Sequence, residues 1–130
     1  MDAITLLVVA LLFGGMVLYS FGFAPFLFSA LPADTAGPVI RRAFPHFYLF
    51  VLTTSTVGAA VALAGDAVAA AVLGLIAITT VYARQVLMPA INRATDSGEK
   101  RRFAALHGAS VVITLIHIAA AGYLIVRLGA

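Results

Sequence analysis

At 130 residues, with 63% of them hydrophobic, 10% charged and a mean hydropathy of +1.11, the chain lacks the polar surface that a water-soluble domain needs. A soluble enzyme, a disordered chain and a nucleic-acid-binding domain are excluded as readings; the net charge of +3 rests on only eight Lys and Arg residues, so no nucleic-acid partner is expected. With no cysteine there are no disulfides, thiolate metal sites or iron–sulfur clusters. An integral membrane protein remains, and its first partner is the lipid bilayer.

A membrane-crossing helix needs ~20 largely apolar residues. The first candidate covers about 4–28 without a charge. It is too long for a signal sequence and follows Asp2 rather than a basic region, so a retained helix is expected. Leu31-Pro32-Ala33-Asp34-Thr35-Ala36-Gly37-Pro38 then reads as a turn-rich connection, because proline lacks the amide donor that a helix uses. The second span covers about 44–64. Gly65-Asp66 forms a tight turn in which Asp66 caps the third span, about 67–88. Thr95-Asp96-Ser97-Gly98-Glu99 is the polar apex before the fourth span, about 103–126. Open sheets leave backbone groups unpaired in lipid, and runs such as Ala67-Val68-Ala69-Ala70-Ala71 do not alternate as barrel strands do. The expected fold is all-α, a single four-span transmembrane helix bundle.

Within the fourth span His107, Ser110, Thr114 and His117 fall inside an arc of about 80° at 100° per residue. His46, Thr53, Thr56 and Ala60 form a similar arc on the second span, and Ala77, Thr80 and Arg84 a shorter one on the third. Polar groups in a span usually face protein or a cavity, so these stripes are expected to line the bundle interior. The alternative is packing alone, since Ser and Thr often bond their own helix. Pairs at four-residue spacing, Thr54 with Gly58 and Ala70 with Gly74, would allow close helix approach. His46 and His107 each follow an Arg-Arg pair by four or five residues and so lie at matched depth, ~6–8 Å from the membrane edge. Arg84 lies a comparable distance inside the basic stretch that follows Pro89. His117 falls near the middle of the membrane, where its ring requires a partner. The two halves are faintly alike: each second helix begins Arg-Arg, Phe, His, with a Thr seven residues after the His.

Two stretches resemble a known family. Gly37-Pro38-Val39-Ile40-Arg41-Arg42-Ala43-Phe44-Pro45 resembles the Gly-x-Val…Phe-Pro signature of the transmembrane protein 205-like family. Phe103-Ala104-Ala105-Leu106-His107-Gly108-Ala109-Ser110 resembles its Phe-x-x-x-His-Gly-x-Ser element, and Pro89 with Asn92-Arg93 its loop after helix three. Bacterial members carry a domain of unknown function, number 4149, which implies a bacterial inner-membrane location and no assigned reaction. His46 departs from the pattern, since an aromatic is commoner there. The architecture is also distantly similar to copper-resistance (CopD-type) and protoporphyrinogen-oxidase (HemJ-type) membrane bundles.

Three functions are open. The first is a non-enzymatic protein whose interior, lined by His46, Arg84, His107, Ser110, Thr114 and His117, binds or passes a small ligand or metal, with His107 the best metal candidate. The second is an accessory or scaffold subunit, as a homo-oligomer or in a larger complex. The third is a haem-binding redox protein with His107 as axial ligand, paired with His46 or His117. No cofactor is expected under the first two. Copper handling is disfavoured because Met1, Met16 and Met88 are scattered. No dinucleotide, P-loop or Gly-x-Ser-x-Gly motif occurs, and every acidic residue lies at an end or in a loop, so catalysis and a carboxylate proton relay are not expected. His107 is expected to matter more than His46.

Orientation follows the basic residues. Arg41, Arg42, Arg93, Lys100, Arg101 and Arg102 share one side and Arg127 stands on the other, which places the connections 29–43 and 89–102 in the cytoplasm and both termini in the periplasm. A C-terminal alkaline-phosphatase fusion is expected to be active and a C-terminal fluorescent fusion dark; the reverse pattern overturns the orientation.

Overall fold

The computed structural model describes residues 3–130, and among them there is no strand. Four helices account for nearly all of the chain: α1 (Ala3–Ala30), α2 (Ala33–Ala62), α3 (Ala67–Asp96) and α4 (Lys100–Gly129). Each is long and apolar enough to cross a membrane. At 1.5 Å per residue a 30-residue helix is about 45 Å long, well beyond the hydrocarbon thickness of ~30 Å. The excess lies mainly at the basic end.

The connection predicted over 29–43 is therefore mostly helix. Only Leu31 and Pro32 break the chain, and α2 starts at Ala33 and carries both Pro38 and Pro45 inside it. Pro32 does not end a helix here but begins one, its carbonyl accepting from the amides of Thr35 and Ala36 at 2.9 and 2.8 Å. Each internal proline removes one ladder bond while the neighbouring bonds hold the helix together. The stretch 89–102 changes in the same way: α3 continues through Pro89 to Asp96, and the turn is only Ser97-Gly98-Glu99, with Gly98 at φ +67°.

The other two prolines are accommodated differently. Leu18–Phe23 in α1 and Ala83–Leu87 in α3 wind as π-helix, and each is followed two residues on by a proline, Pro25 or Pro89. A proline ring collides with the carbonyl four residues earlier, which is Phe21 in one case and Gln85 in the other. Both lie inside the widened turn, which moves that carbonyl aside. The first helices of the two hairpins thus share a device, extending the likeness of the halves.

The helices form a ring in chain order, α1 touching α2 and α4, and α3 touching α2 and α4. The core is a column of Val9, Leu12 and Met16 from α1, Phe47, Tyr48 and Val51 from α2, Leu73 and Ile76 from α3, and Ala121 and Leu124 from α4. Its basic-side end is aromatic: the Tyr19 and Phe47 rings lie 4.8 Å apart, with Phe23, Phe44 and Tyr48 around them. Glycine sets the close approaches. A side chain at Gly58 would meet Leu73 at 3.0 Å and Val8 at 3.2 Å, and the Phe50 ring occupies the space a side chain would need at Gly15. Of the paired small positions, Gly58 and Ala70 are buried between helices, whereas Gly74 faces open space.

Each end of the bundle carries an ion pair. Arg41 of α2 grips Asp96 of α3 with two bonds of 2.7 and 3.0 Å. At the far end Arg127 donates to Asp66 at 3.1 and 3.3 Å, while Asp66 caps α3 by accepting from the amides of Val68 and Ala69. The Arg127 hydrogen bond, helped by the Ala69 amide, holds the Asp66 carboxyl below its usual pKa. A carboxyl so depressed stabilises the fold fully above its unfolded pKa of about 3.9 and loses that stabilisation as pH falls through the folded value. Asp66→Asn, which keeps the cap and drops the charge, is expected to melt below wild type at neutral pH, and Asp66→Ala lower still. The gap between wild type and Asp66→Asn should close as pH drops below the ordinary carboxylate range, read by thermal unfolding in detergent; a gap that persists in acid contradicts the pairing.

Candidate functional site

The expected interior is only partly polar. Of the fourth-helix set, Ser110 and His117 are buried and Thr114 is half-buried, while His107 is exposed. His107 does not enter the bundle: the buried line of α4 is Ser110, His117, Ala121 and Leu124, and His107 falls to one side of it. Its ring stacks instead on Phe103, one turn earlier, at 5.4 Å and 6°. Ser110 does not orient that ring; its hydroxyl donates to the His107 backbone carbonyl at 2.7 Å. Across the bundle it meets the hydroxyl of Tyr48.

His117 is the buried histidine, 7% exposed and about 15 Å along α4 from Arg127, at mid-membrane. It lies 2.6 Å from the Thr79 hydroxyl of α3. The Thr79 hydroxyl also donates to the Leu75 carbonyl at 2.8 Å, so this one oxygen is engaged with both helices. Thr79 is absent from the sequence stripes, since it stands 100° round the helix from Thr80. Two further buried hydroxyls are closed within their own helices: Ser55 donates to Val51 at 2.6 Å and Thr80 to Ile76 at 2.6 Å.

Arg84 sits in the π turn of α3, about 27 Å along the helix from Asp66 and so just inside the basic-side membrane edge. Half-buried, it donates through Nε to the Pro45 carbonyl at 3.3 Å and through Nη1 to Gln85 at 2.9 Å. It joins α3 to α2 where both backbones are irregular.

The second-helix stripe is the largest departure from expectation. His46, Thr53, Thr56 and Ala60 are all exposed. The buried face of α2 is Phe47, Tyr48, Val51, Ser55, Gly58 and Ala62, roughly opposite the stripe at 100° per residue. The physical reason is bulk: two aromatic rings bury far more apolar area than two threonines, and they turn α2 so that its polar arc points out. Among the described residues, His46, Thr53 and Thr56 make no side-chain hydrogen bond. The outward faces of the other helices are aliphatic through most of their length, with Leu7 and Leu11 on α1, Leu75 and Ile78 on α3, and Leu115 and Ile116 on α4.

The six candidate residues are therefore not one site. His46 and His107 lie on helices that are not neighbours in the ring, and both are exposed. No three of the His, Cys, Asp and Glu side chains come together among the described residues, and His107 has an aromatic ring rather than a second ligand beside it.

The His117–Thr79 bond is the main polar link between α3 and α4 in mid-membrane. Thr79→Val is expected to cost about 0.6 kcal/mol, and at most ~1.7. His117→Leu should add little once Thr79 is changed. A double-variant cycle on unfolding in mixed micelles measures this coupling, and fully additive effects contradict the bond.

The family model described as a domain of unknown function (DUF4149) matches residues 7–100, which takes in most of α1 and all of α2 and α3 and stops where α4 begins. The Gly37 to Pro45 stretch falls inside the match and the Phe103 to Ser110 element outside it. Comparisons with curated proteins and with solved structures return no match. With most of its length matched, this four-helix membrane protein belongs to the DUF4149 family.

Proposed function

We propose that the protein is a non-enzymatic membrane subunit that works by associating with other membrane helices through the outward face of α2. The observation that carries this is the set His46, Thr53 and Thr56, polar, exposed and without side-chain hydrogen bonds inside a membrane span. Hydrocarbon offers such groups nothing, whereas a neighbouring helix offers donors, acceptors and close contact. The interior supports the same reading. Ser55, Thr80 and Ser110 are closed on carbonyls of their own helix and His117 on Thr79.

A second reading, a small anionic ligand at the basic side, draws on Arg84. This side chain has no carboxylate partner among the described residues and stands beside a π turn and a proline, the kind of backbone irregularity found where membrane proteins hold ligands.

The double variant Thr53→Leu/Thr56→Leu separates the two. Extracted in mild detergent or in native-lipid discs, wild type should run above the 13.5 kDa single-chain mass and the variant at it, with unchanged helical circular dichroism. Arg84→Gln should leave the assembly intact. A wild-type protein that is a single chain in native lipid contradicts the subunit reading.

A further inference from the structure

Resting on the second reading above, we infer that Arg84 anchors a negatively charged phosphate group, that of an anionic phospholipid headgroup, in the groove between α2 and α3. Within the apolar segments 4–28, 44–64, 67–88 and 103–126, Arg84 is the only residue of fixed charge. The other cations are provided for. Arg41 is paired with Asp96 and Arg127 with Asp66, while Arg42, Arg93, Lys100, Arg101 and Arg102 stand exposed at the basic end. Arg84 has neither a carboxylate partner among the described residues nor a place in open water. A charge so placed at the edge of hydrocarbon is costly until a counter-charge meets it.

The guanidinium is held in place across the groove. Nε donates to the Pro45 carbonyl and Nη1 to Gln85 Oε1, which engages two of its five N–H donors and leaves Nη2 without a partner among the described residues. Gln85 is exposed, and its amide NH2, beside the oxygen that Arg84 holds, is likewise unengaged. Nη1, Nη2 and this NH2 lie side by side as donors only, a set that suits the oxygens of a phosphate. Depth selects the source. Arg84 lies ~27 Å along α3 from Asp66, where the hydrocarbon gives way to the headgroup layer. One turn deeper, Val81 of α3 and Leu49 of α2 are aliphatic and 44% and 47% exposed, a surface for an acyl chain. A phospholipid places its phosphate and its chains in that order along the membrane normal. A zwitterionic headgroup already sets an ammonium against its phosphate, so a lipid of net negative charge supplies the missing counter-charge better. Exposed aliphatic surface occurs on every helix, whereas the unpaired charge occurs once, and the charge does the selecting.

The purified chain in mild detergent is titrated with phosphatidylglycerol, phosphatidylcholine or sodium phosphate, and what it retains is counted by native mass spectrometry. Wild type is expected to retain phosphatidylglycerol in preference to phosphatidylcholine. Arg84→Gln should bind phosphatidylglycerol about tenfold more weakly, the loss of one charge-assisted hydrogen-bonding group. Arg93→Gln, which removes an exposed charge from the same side, should stay close to wild type. If circular dichroism shows that Arg84→Gln does not fold, Arg84→Lys is compared with Arg93→Lys: both keep the charge, and only the first loses the forked donors on Pro45 and Gln85. Equal retention of the two lipids, or equal weakening at Arg84 and Arg93, means diffuse attraction and overturns the proposal. Phosphate ion held in an Arg84-dependent way, with no preference for phosphatidylglycerol, overturns the lipid and leaves the anionic-ligand reading standing. No Arg84-dependent binding of lipid or phosphate overturns both.

Discussion

In hydrocarbon a polar group has no solvent to turn to, so every donor and acceptor must be closed within the protein or against a neighbour. Most of this bundle obeys that constraint locally. Ser55, Thr79, Thr80 and Ser110 each hand their proton to a carbonyl three or four residues back, and His117 completes its need on Thr79. Arg84 donates to Pro45 and Gln85 at the membrane edge. Some groups are left over singly, such as Ser20 on α1 and Thr114 on α4, but His46, Thr53 and Thr56 form a set. They lie on one face of one helix, and that placement gives the molecule its direction.

The rest of the architecture keeps that face free. Aromatic packing of Tyr19, Phe44, Phe47 and Tyr48 fixes the rotation of α2 about its own axis, and Gly58 lets Leu73 and Val8 close on its inner side. The π turns before Pro25 and Pro89 let α1 and α3 pass through their prolines as continuous helices. At the two ends, Arg41 with Asp96 and Arg127 with Asp66 tie α3 to its neighbours where water returns. These exposed pairs contribute modestly to stability, but they fix which helices sit side by side.

Hydropathy alone displays the four helices, and the Asp66 cap is readable because an acidic side chain directly before an apolar run has one obvious use. The segment before Phe44 misleads, because proline and glycine signal a break locally, while the long-range grip of Arg41 on Asp96 and the buried Ala36 keep it helical. The fourth-helix stripe is half right: Ser110 and His117 point inward, but His107 is exposed at the edge of that face. On α2 the polar period is read correctly and its side wrongly, since periodicity locates a face without saying what covers it. Thr79 and the two ion pairs join residues 38 to 61 positions apart, and no local pattern in the chain announces them.

The central claim is that α2 has two protein-facing sides and α1 only one. A nitroxide scan of residues 46–63, with oxygen accessibility measured in lipid bilayers, tests it most directly. The account predicts two minima per turn along α2, one at Phe47, Val51, Ser55 and Gly58 and a second at Leu49, Thr53, Thr56 and Ala60, with a single minimum in a matching scan of α1. A single minimum on α2, with Thr53 and Thr56 as open to oxygen as Leu7 and Leu11, would contradict it.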